Sequence, residues 1–560
     1  MIRMRASKLV VLGVLAVALP VLSGCGLSAQ RDSAVTGLVA EADAAPAPQL
    51  DWAPCADAEL RRFHCAVAKV PRDYKQPHGP VLELALVRQL ATDPERRIGT
   101  LFTAAGGPGG SGLNWARKGE MYSGEISRRF DVITFDQRGI GRSAQVRCFP
   151  NAQEQERFWL AATIPPVNPE QEAATERASR TLAAGCAAHS ADLLPHLTTV
   201  DAARDMDLLR RALGEDKISY AGGSYASYLG QVYGALFGDR VRALLLGSMI
   251  DPEVYTGDTR RQVTDTAVGT EEVFGEFLRL CAEAGRLRCS FAGGPDRTEE
   301  RRGQGSAQPT EVGTSAPATG NPTTPSPALE AKKALQQRDS ALMDQLVKGP
   351  ITVGERERAI QVHHTEVMQA RSLLLYDSEE GWPALAQLLT ELERGAGGNS
   401  ETVRAILASG VDWDFLDSYT AITCADNSML RQPEQWPAIA REFTGAAAMY
   451  GPFWLYQHQP CAAWPASAEG YPQRYTGPWT LSSDKPALLI NNRYDPVTPL
   501  VFAQRAQQEM VNARLVVVTD GYGHEPGGDC VSRLHERYLV DLQLPAPGAT
   551  CEVKTQPFVD

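Results

Sequence analysis

Gly222-Gly223-Ser224-Tyr225-Ala226 follows a short apolar run at Ile218 and opens a helical pattern. A serine on a tight strand–turn–helix connection needs small residues two before and two after it, because the turn leaves no room for larger ones. Gly222 and Ala226 meet that demand. Such a turn lifts the hydroxyl out at the C-terminal edge of a sheet. A hydroxyl is a weak nucleophile at its own pKa and needs an adjacent base, and the base needs a group to orient it. Both types follow down the chain. Ala487–Ile490 leads into a turn holding Asp495, and Leu515–Val518 leads to Gly521-Tyr522-Gly523-His524. Of nine histidines, only His524 sits after a late strand in a glycine-rich loop. Ser224 is therefore read as nucleophile, His524 as general base and Asp495 as the carboxylate that fixes the imidazole tautomer.

Acyl chemistry also needs two N–H donors for the oxyanion. Tyr225, the residue after the nucleophile, supplies one. Gly106-Gly107-Pro108-Gly109-Gly110-Ser111-Gly112 follows an early strand, and Gly107 is the candidate for the other. The run lacks the Gly-Lys-Ser/Thr of a phosphate-binding loop, and its Pro removes a donor. No His-Glu-x-x-His and no Cys-x-x-Cys occurs, and His363-His364 has no ligand pattern beside it, so neither metal nor cofactor is expected.

The elements that must carry these residues can be read from periodicity. Strands are expected at Val81–Val87, Gly99–Ala104, Phe130–Phe135, Ile218–Ala221, Val241–Leu246, Ala487–Ile490 and Leu515–Val518. Thr199–Leu213 has helical spacing, with Thr198 or Thr199 as N-cap and Gly214 as the stop, and Leu500–Val511 fits a helix between the two late strands. Strands alternating with helices predict a doubly wound α/β domain with a largely parallel sheet. Residues 256–420 break the rhythm and read as a mostly helical lid inserted between a first half at 51–255 and a C-terminal half at 421–560. Within it, 293–328 is Gly, Pro, Ser, Thr and charge, the composition of a disordered loop.

Arg3, Arg5 and Lys8 precede an uncharged apolar stretch from Leu9 to Leu22, the pattern of an export signal over residues 1–24. Leu22-Ser23-Gly24-Cys25 resembles a bacterial lipobox, which implies lipidation of Cys25, anchorage to the outer face of the cytoplasmic membrane and a tether over 25–50. Setting Cys25 apart from the eleven cysteines leaves an even set, which in an exported chain reads as disulfides. Sequential pairing gives 55–65, 148–186, 281–289, 424–461 and 530–551. The net charge of −12 argues against non-specific binding to nucleic acid.

Gly106-Gly107-Pro108-Gly109-Gly110, Asp136-Gln137-Arg138-Gly139-Ile140-Gly141-Arg142-Ser143 and Gly222-Gly223-Ser224-Tyr225 resemble the proline iminopeptidase and tripeptidyl aminopeptidase branch of the α/β-hydrolases. Thr198–Gly230 and Asp495-Pro496-Val497-Thr498-Pro499 are most similar to the secreted actinobacterial tripeptidyl aminopeptidases and their mycobacterial lipoprotein relatives. The resemblance implies an α/β-hydrolase fold and a serine exopeptidase that releases short peptides, tripeptides among them, from substrates with a free N-terminus. It also implies a carboxylate near the lid for the substrate's α-ammonium. Asp426 is the candidate, with Glu253 and Asp251 as further ones, and Thr498 is implied as a partner of the triad. Two positions depart from the family: Ala226-Ser227 replaces the usual Gly-Thr, and Gly247-Ser248 stands where Asp-Gly is common. Peptide and ester hydrolysis share tetrahedral chemistry, so a carboxylesterase or lipase on the same triad stays open, as does a non-catalytic binding protein on this scaffold.

Overall fold

Gly99–Thr103 is buried at every position, as a strand covered on both faces must be. It is the fourth strand in the computed structural model of the protein, which describes residues 35–293, 327–408, 412–427, 429, 431–554 and 556–559. In chain order the strands are β1 (Ala53–Pro54), β2 (His64–Pro71), β3 (Val81–Gln89), β4 (Gly99–Thr103), β5 (Phe130–Phe135), β6 (Ile218–Gly223), β7 (Val241–Gly247), β8 (Ile351–Val353), β9 (Ile360–Val362), β10 (Ala487–Tyr494), β11 (Ala513–Tyr522) and β12 (Thr550–Cys551). Ten of them form one sheet in the order β1-β2-β3-β5-β4-β6-β7-β10-β11-β12. The pairings from β1 through β3 to β5 are antiparallel, and every later one is parallel. This is the doubly wound α/β architecture that the strand–helix alternation predicts, and it fits the α/β-hydrolase fold that the resemblance implies. All the expected strands are present. The edge strands β1 and β12, the strand β2 beside β1 and the separate hairpin β8–β9 add to them.

The chain leaves β4 for β5 on one side and then crosses back to β6 on the other. Loops after β4 and β6 therefore diverge, and a crevice opens at the C-terminal ends of the strands where an α/β sheet binds its ligand. The glycine-rich loop leaves β4 there and Ser224 leaves β6.

The helix Thr199–Ala212 packs beneath the helix Tyr225–Leu236 that follows Ser224. Its N-cap is Thr198, whose side chain accepts from Asp201 N, and Gly214 turns the chain at φ 71°. Its polar face is buried as fully as its apolar one, so its charges are paired. Arg138 is 1% exposed, and its guanidinium meets both oxygens of Asp205 at 2.6 and 2.8 Å. Its remaining N–H groups donate to the carbonyls of Pro71, Arg72 and His196, so all of its donors are used.

Part of the segment expected to be a loose tether is instead bound to this face. Residues 35–44 are helical, with Ala42 and Ala45 buried in the core. Glu41 pairs with the buried Arg204 at 2.7 Å, and Asp43 pairs with Arg240 at 2.9 Å. The physical reason is that buried guanidinium groups need carboxylates, and this stretch brings them. Residues 1–34, with Cys25 and the signal, lie outside the described residues, as does 294–326, which is most of the expected disordered loop. Among the described residues no helix is long and apolar enough to cross a membrane.

The helical insert runs further than 420. Helix Trp413–Asp426 straddles that expected boundary, and helices continue to Ala462 before β10. Phe277, Trp382, Trp436 and Tyr450 belong to a lid core of their own, which holds residues on both sides of 420 in one unit. Ala421, Cys424 and Cys461 instead join the core beside the sheet, so the lid is sewn to the hydrolase body along that helix. All five sequential disulfides are formed, among them Cys424–Cys461 at this seam.

Removing one partner of a buried, fully bonded ion pair leaves the other charge stranded, at a cost of about 3–5 kcal/mol. Arg138→Met is expected to lower unfolding stability by that amount in chemical denaturation, whereas replacing the exposed Arg180 changes it by less than about 1 kcal/mol.

Candidate active site

The turn that carries Ser224 is as tight as its sequence demands. Ser224 sits at φ 57° and ψ −132°, and its N–H donates to Gly247 O at 3.2 Å. A β-carbon on Gly222 would lie 2.7 Å from Tyr220 Oη and 2.9 Å from Ala226 Cβ. Glycine is required there, and alanine is the largest residue that fits opposite.

The glycine-rich loop comes up beside the hydroxyl. A β-carbon on Gly106 would lie 3.0 Å from Ser224 Cβ and 3.4 Å from its Oγ. Gly107 is the next residue and lines the same cavity as Ser224. Tyr225 opens the following helix, so its N–H has no partner within that helix. The loop is pinned from below by Asp136, which accepts from Ser111 Oγ at 2.6 Å, Leu113 N at 3.1 Å and Arg142 N at 2.9 Å. That is the physical content of the Asp-Gln-Arg-Gly-Ile-Gly stretch: Asp136 holds the loop, and Arg138 holds the helix behind Ser224.

Asp495 and His524 come together from the ends of β10 and β11. His524 Nδ1 lies 3.0 Å from each Asp495 oxygen. Thr498 Oγ1 donates to Asp495 Oδ2 at 2.9 Å, and the N–H groups of Val497 and Thr498 donate to Oδ1 at 3.0 and 2.9 Å. Burial pushes the Asp495 pKa up, but the facing imidazole and these donors outweigh it and hold the carboxyl below its ordinary value. Burial pushes the His524 pKa down, and Asp495, with a smaller contribution from Glu525, carries it above the ordinary histidine value. His524 Nε2 is buried with no hydrogen-bond partner among the described residues, so its bond to Ser224 Oγ is not closed. Catalytic hydrogen bonds often tighten only when substrate is bound.

Several residues around the pair carried no sequence signal. Tyr376 reaches in from the lid: its carbonyl accepts from His524 N at 2.7 Å and its ring stands edge-on to the imidazole at 4.9 Å. Glu525 sits at φ 70°, and its N–H donates to Ser248 Oγ at 2.9 Å. Its carboxylate would be 3.4 Å from a β-carbon on Gly223. The departure at Ser248 thus serves to hold the base loop.

The three carboxylates expected near the substrate ammonium do not line the cavity. Asp426 is 2% exposed, and its oxygens accept from Thr199 N at 2.8 Å and Thr199 Oγ1 at 2.6 Å. Thr199 Oγ1 also meets Tyr225 Oη at 2.6 Å. Burial pushes the Asp426 pKa up to about 7 against these bonds. The carboxylate caps a helix and, through Thr199, braces Tyr225, so its oxygens are engaged within the protein. Glu253 is exposed at the start of helix Pro252–Gly257 near Glu509, whose carboxyl is pushed up to about 8 by burial first and then by the neighbouring Glu253 and Asp251. Asp251 is the buried N-cap of the same helix and faces Arg505 at 3.3 Å. Because Glu525 raises the His524 pKa, Glu525→Gln is expected to lower it. A base works only when neutral, so the acid limb of the kcat/KM profile moves to lower pH by a fraction of a unit, which a pH–rate series at low salt will measure.

A family model for the alpha/beta hydrolase fold matches residues 102–267, and one described as TAP-like protein matches residues 447–551. The chain is 28% identical to the tripeptidyl aminopeptidase of Streptomyces lividans, covering 91% of this chain and 87% of that one. It is 27% identical to a carboxylesterase B of Mycobacterium tuberculosis, covering 90% of each. It is 26% identical to the serine protease Hip1 of the same organism, covering 90% of this chain and 91% of that one. With the sheet order, the elbow at Ser224 and the Asp495–His524 pair, these matches support a place for the chain among the TAP-like α/β-hydrolases.

Proposed function

We propose that the protein is an exported serine aminopeptidase that releases short peptides, tripeptides among them, from free N-termini. The observation that carries this reading is the Asp495–His524 hydrogen bond beside a serine on a strained turn. In the proposed reaction, Ser224 Oγ attacks the scissile carbonyl carbon while His524 Nε2 takes its proton. Asp495 stabilises the imidazolium, and the N–H groups of Gly107 and Tyr225 stabilise the oxyanion. The C–N bond breaks as His524 returns the proton to the leaving amine. Water, deprotonated by the same imidazole, then releases the acyl group and regenerates Ser224.

One observation favours a second reading, an esterase. Among the described residues no charged side chain lines the cavity at Ser224, and the Asp426 oxygens are taken by Thr199. A matched set of peptides with free and acylated N-termini separates the two, run beside simple esters. The aminopeptidase reading predicts that acylation removes most of the peptide activity. Equal cleavage of blocked and free peptides, or turnover of esters alone, overturns it.

Export and anchoring at Cys25 rest on the lipobox resemblance. Cys25→Ser is expected to move the protein from the membrane fraction to the soluble one, and unchanged membrane retention on fractionation refutes the anchor.

A further inference from the structure

The cavity that opens on Ser224 has an unusual lining. Its walls include Ile250, Val263, Val497 and Phe502, yet polar groups line it as well, three of them from separate elements. Tyr255 comes from helix Pro252–Gly257, Gln262 from the lid helix Thr259–Ala284, and His458 from the junction of helices Tyr450–Gln457 and Gln459–Ala462. Tyr255 Oη, Gln262 Oε1 and His458 Nδ1 are all buried, as is Thr423 Oγ1 on the same wall, and none has a hydrogen-bond partner among the described residues. Tyr255 is 3% exposed and His458 5%. Leaving a buried polar atom unpaired costs about 1–3 kcal/mol, and such atoms in a native protein call for a ligand or water to serve them.

These groups are also held in place. The Tyr255 ring packs 4.5 Å from that of Tyr228. His458 N donates to Leu455 O at 3.0 Å, and His458 O accepts from Cys461 N at 3.0 Å, beside the disulfide to Cys424. The cavity is lined by Ser224 and Gly107 but not by His524. A leaving group must depart on the side of the imidazole that protonates it, so this cavity lies on the acyl side.

We propose that the cavity is the acyl-side specificity pocket and takes an uncharged side chain ending in an N–H or O–H donor, carried by the residue that supplies the scissile carbonyl. The donor preference follows from the lining. Gln262 Oε1 can only accept, His458 Nδ1 accepts in the neutral tautomer with its proton on Nε2, and Tyr255 Oη can accept or donate. The exclusion of charge follows from a lining that holds no charged side chain among the described residues. Burial pushes the His458 pKa down to about 4, so at neutral pH it offers no positive charge to an acidic side chain. A buried charge without a partner is far costlier than a buried amide. Water serves these groups in the empty pocket, and the substrate's donor replaces it.

Asparagine, aspartate and leucine side chains are close in shape and differ in the properties that matter here. The test measures kcat/KM for three acyl groups that differ only in this residue, each presented both as a peptide with a free N-terminus and as an ester. The inference rests on Ser224 as nucleophile and not on the choice between amide and ester. The expected order is asparagine over leucine by at least about tenfold and over aspartate by at least about a hundredfold. That order seen with esters while peptides go uncleaved supports the pocket and overturns the aminopeptidase reading instead. Equal turnover of the asparagine and leucine compounds, or of the asparagine and aspartate ones, overturns the pocket. In His458→Leu the asparagine-to-leucine ratio should fall severalfold, and His458→Asn should retain it. Thermal unfolding of both variants checks that they fold, and an unchanged ratio in folded His458→Leu removes His458 from the assignment.

Discussion

Ser224 holds a backbone conformation that a residue with a side chain adopts only when its surroundings leave no alternative. At φ 57° it costs of order 1–3 kcal/mol, and the neighbouring structure must supply that. The bond from Ser224 N to Gly247 O ties the turn to the end of β7, and Gly222 lets the following helix fold back against Tyr220. Gly106 then lets a second loop pass the hydroxyl at van der Waals distance. The strain is affordable because β6 lies between β4 and β7 in the buried middle of the sheet, where both neighbours are rigid.

The supporting structure extends outward in two shells of buried polar bonding. Asp136 gathers three donors from the glycine-rich loop and its own turn, while Asp205 and Arg138 lock the helix behind the elbow. Asp426 closes the set by joining the lid-side helix Trp413–Asp426 to Thr199 and, through it, to Tyr225. The lid is therefore coupled to the residue beside the nucleophile by hydrogen bonds as well as by apolar packing. Tyr376 does the same for His524 from the other side. The helices that enclose the cavity thus also position the groups expected to do the chemistry.

Much of this arrangement was legible in the residues. The strands around the crevice are continuous apolar runs, and Ser224, Asp495 and His524 each follow one, so periodicity and chain order locate them together. Local spacing likewise picked out the cysteine pairs. What could not be read depends on contacts between distant segments. The place of Asp426 in the chain marks it as polar near the lid, but only the fold shows that Thr199 takes its oxygens. Residues 35–45 look like a loose tether by composition, and their role appears only once the buried arginines opposite them are placed. The helical insert runs past 420 because Trp436 and Tyr450 share one core with Phe277 and Trp382, a contact between distant segments that local spacing does not show. The polar atoms of Tyr255, Gln262 and His458 are up to some two hundred positions apart in the chain, and no pattern along the sequence brings them to one cavity.

The central claim is that Ser224 is the nucleophile of an acyl-enzyme reaction. Its most direct test is covalent: react the intact protein with a fluorophosphonate, digest it and locate the adduct by tandem mass spectrometry. The account predicts a single adduct on Ser224, and none on the folded Ser224→Ala protein. An adduct on another residue, or labelling that survives the substitution, contradicts it.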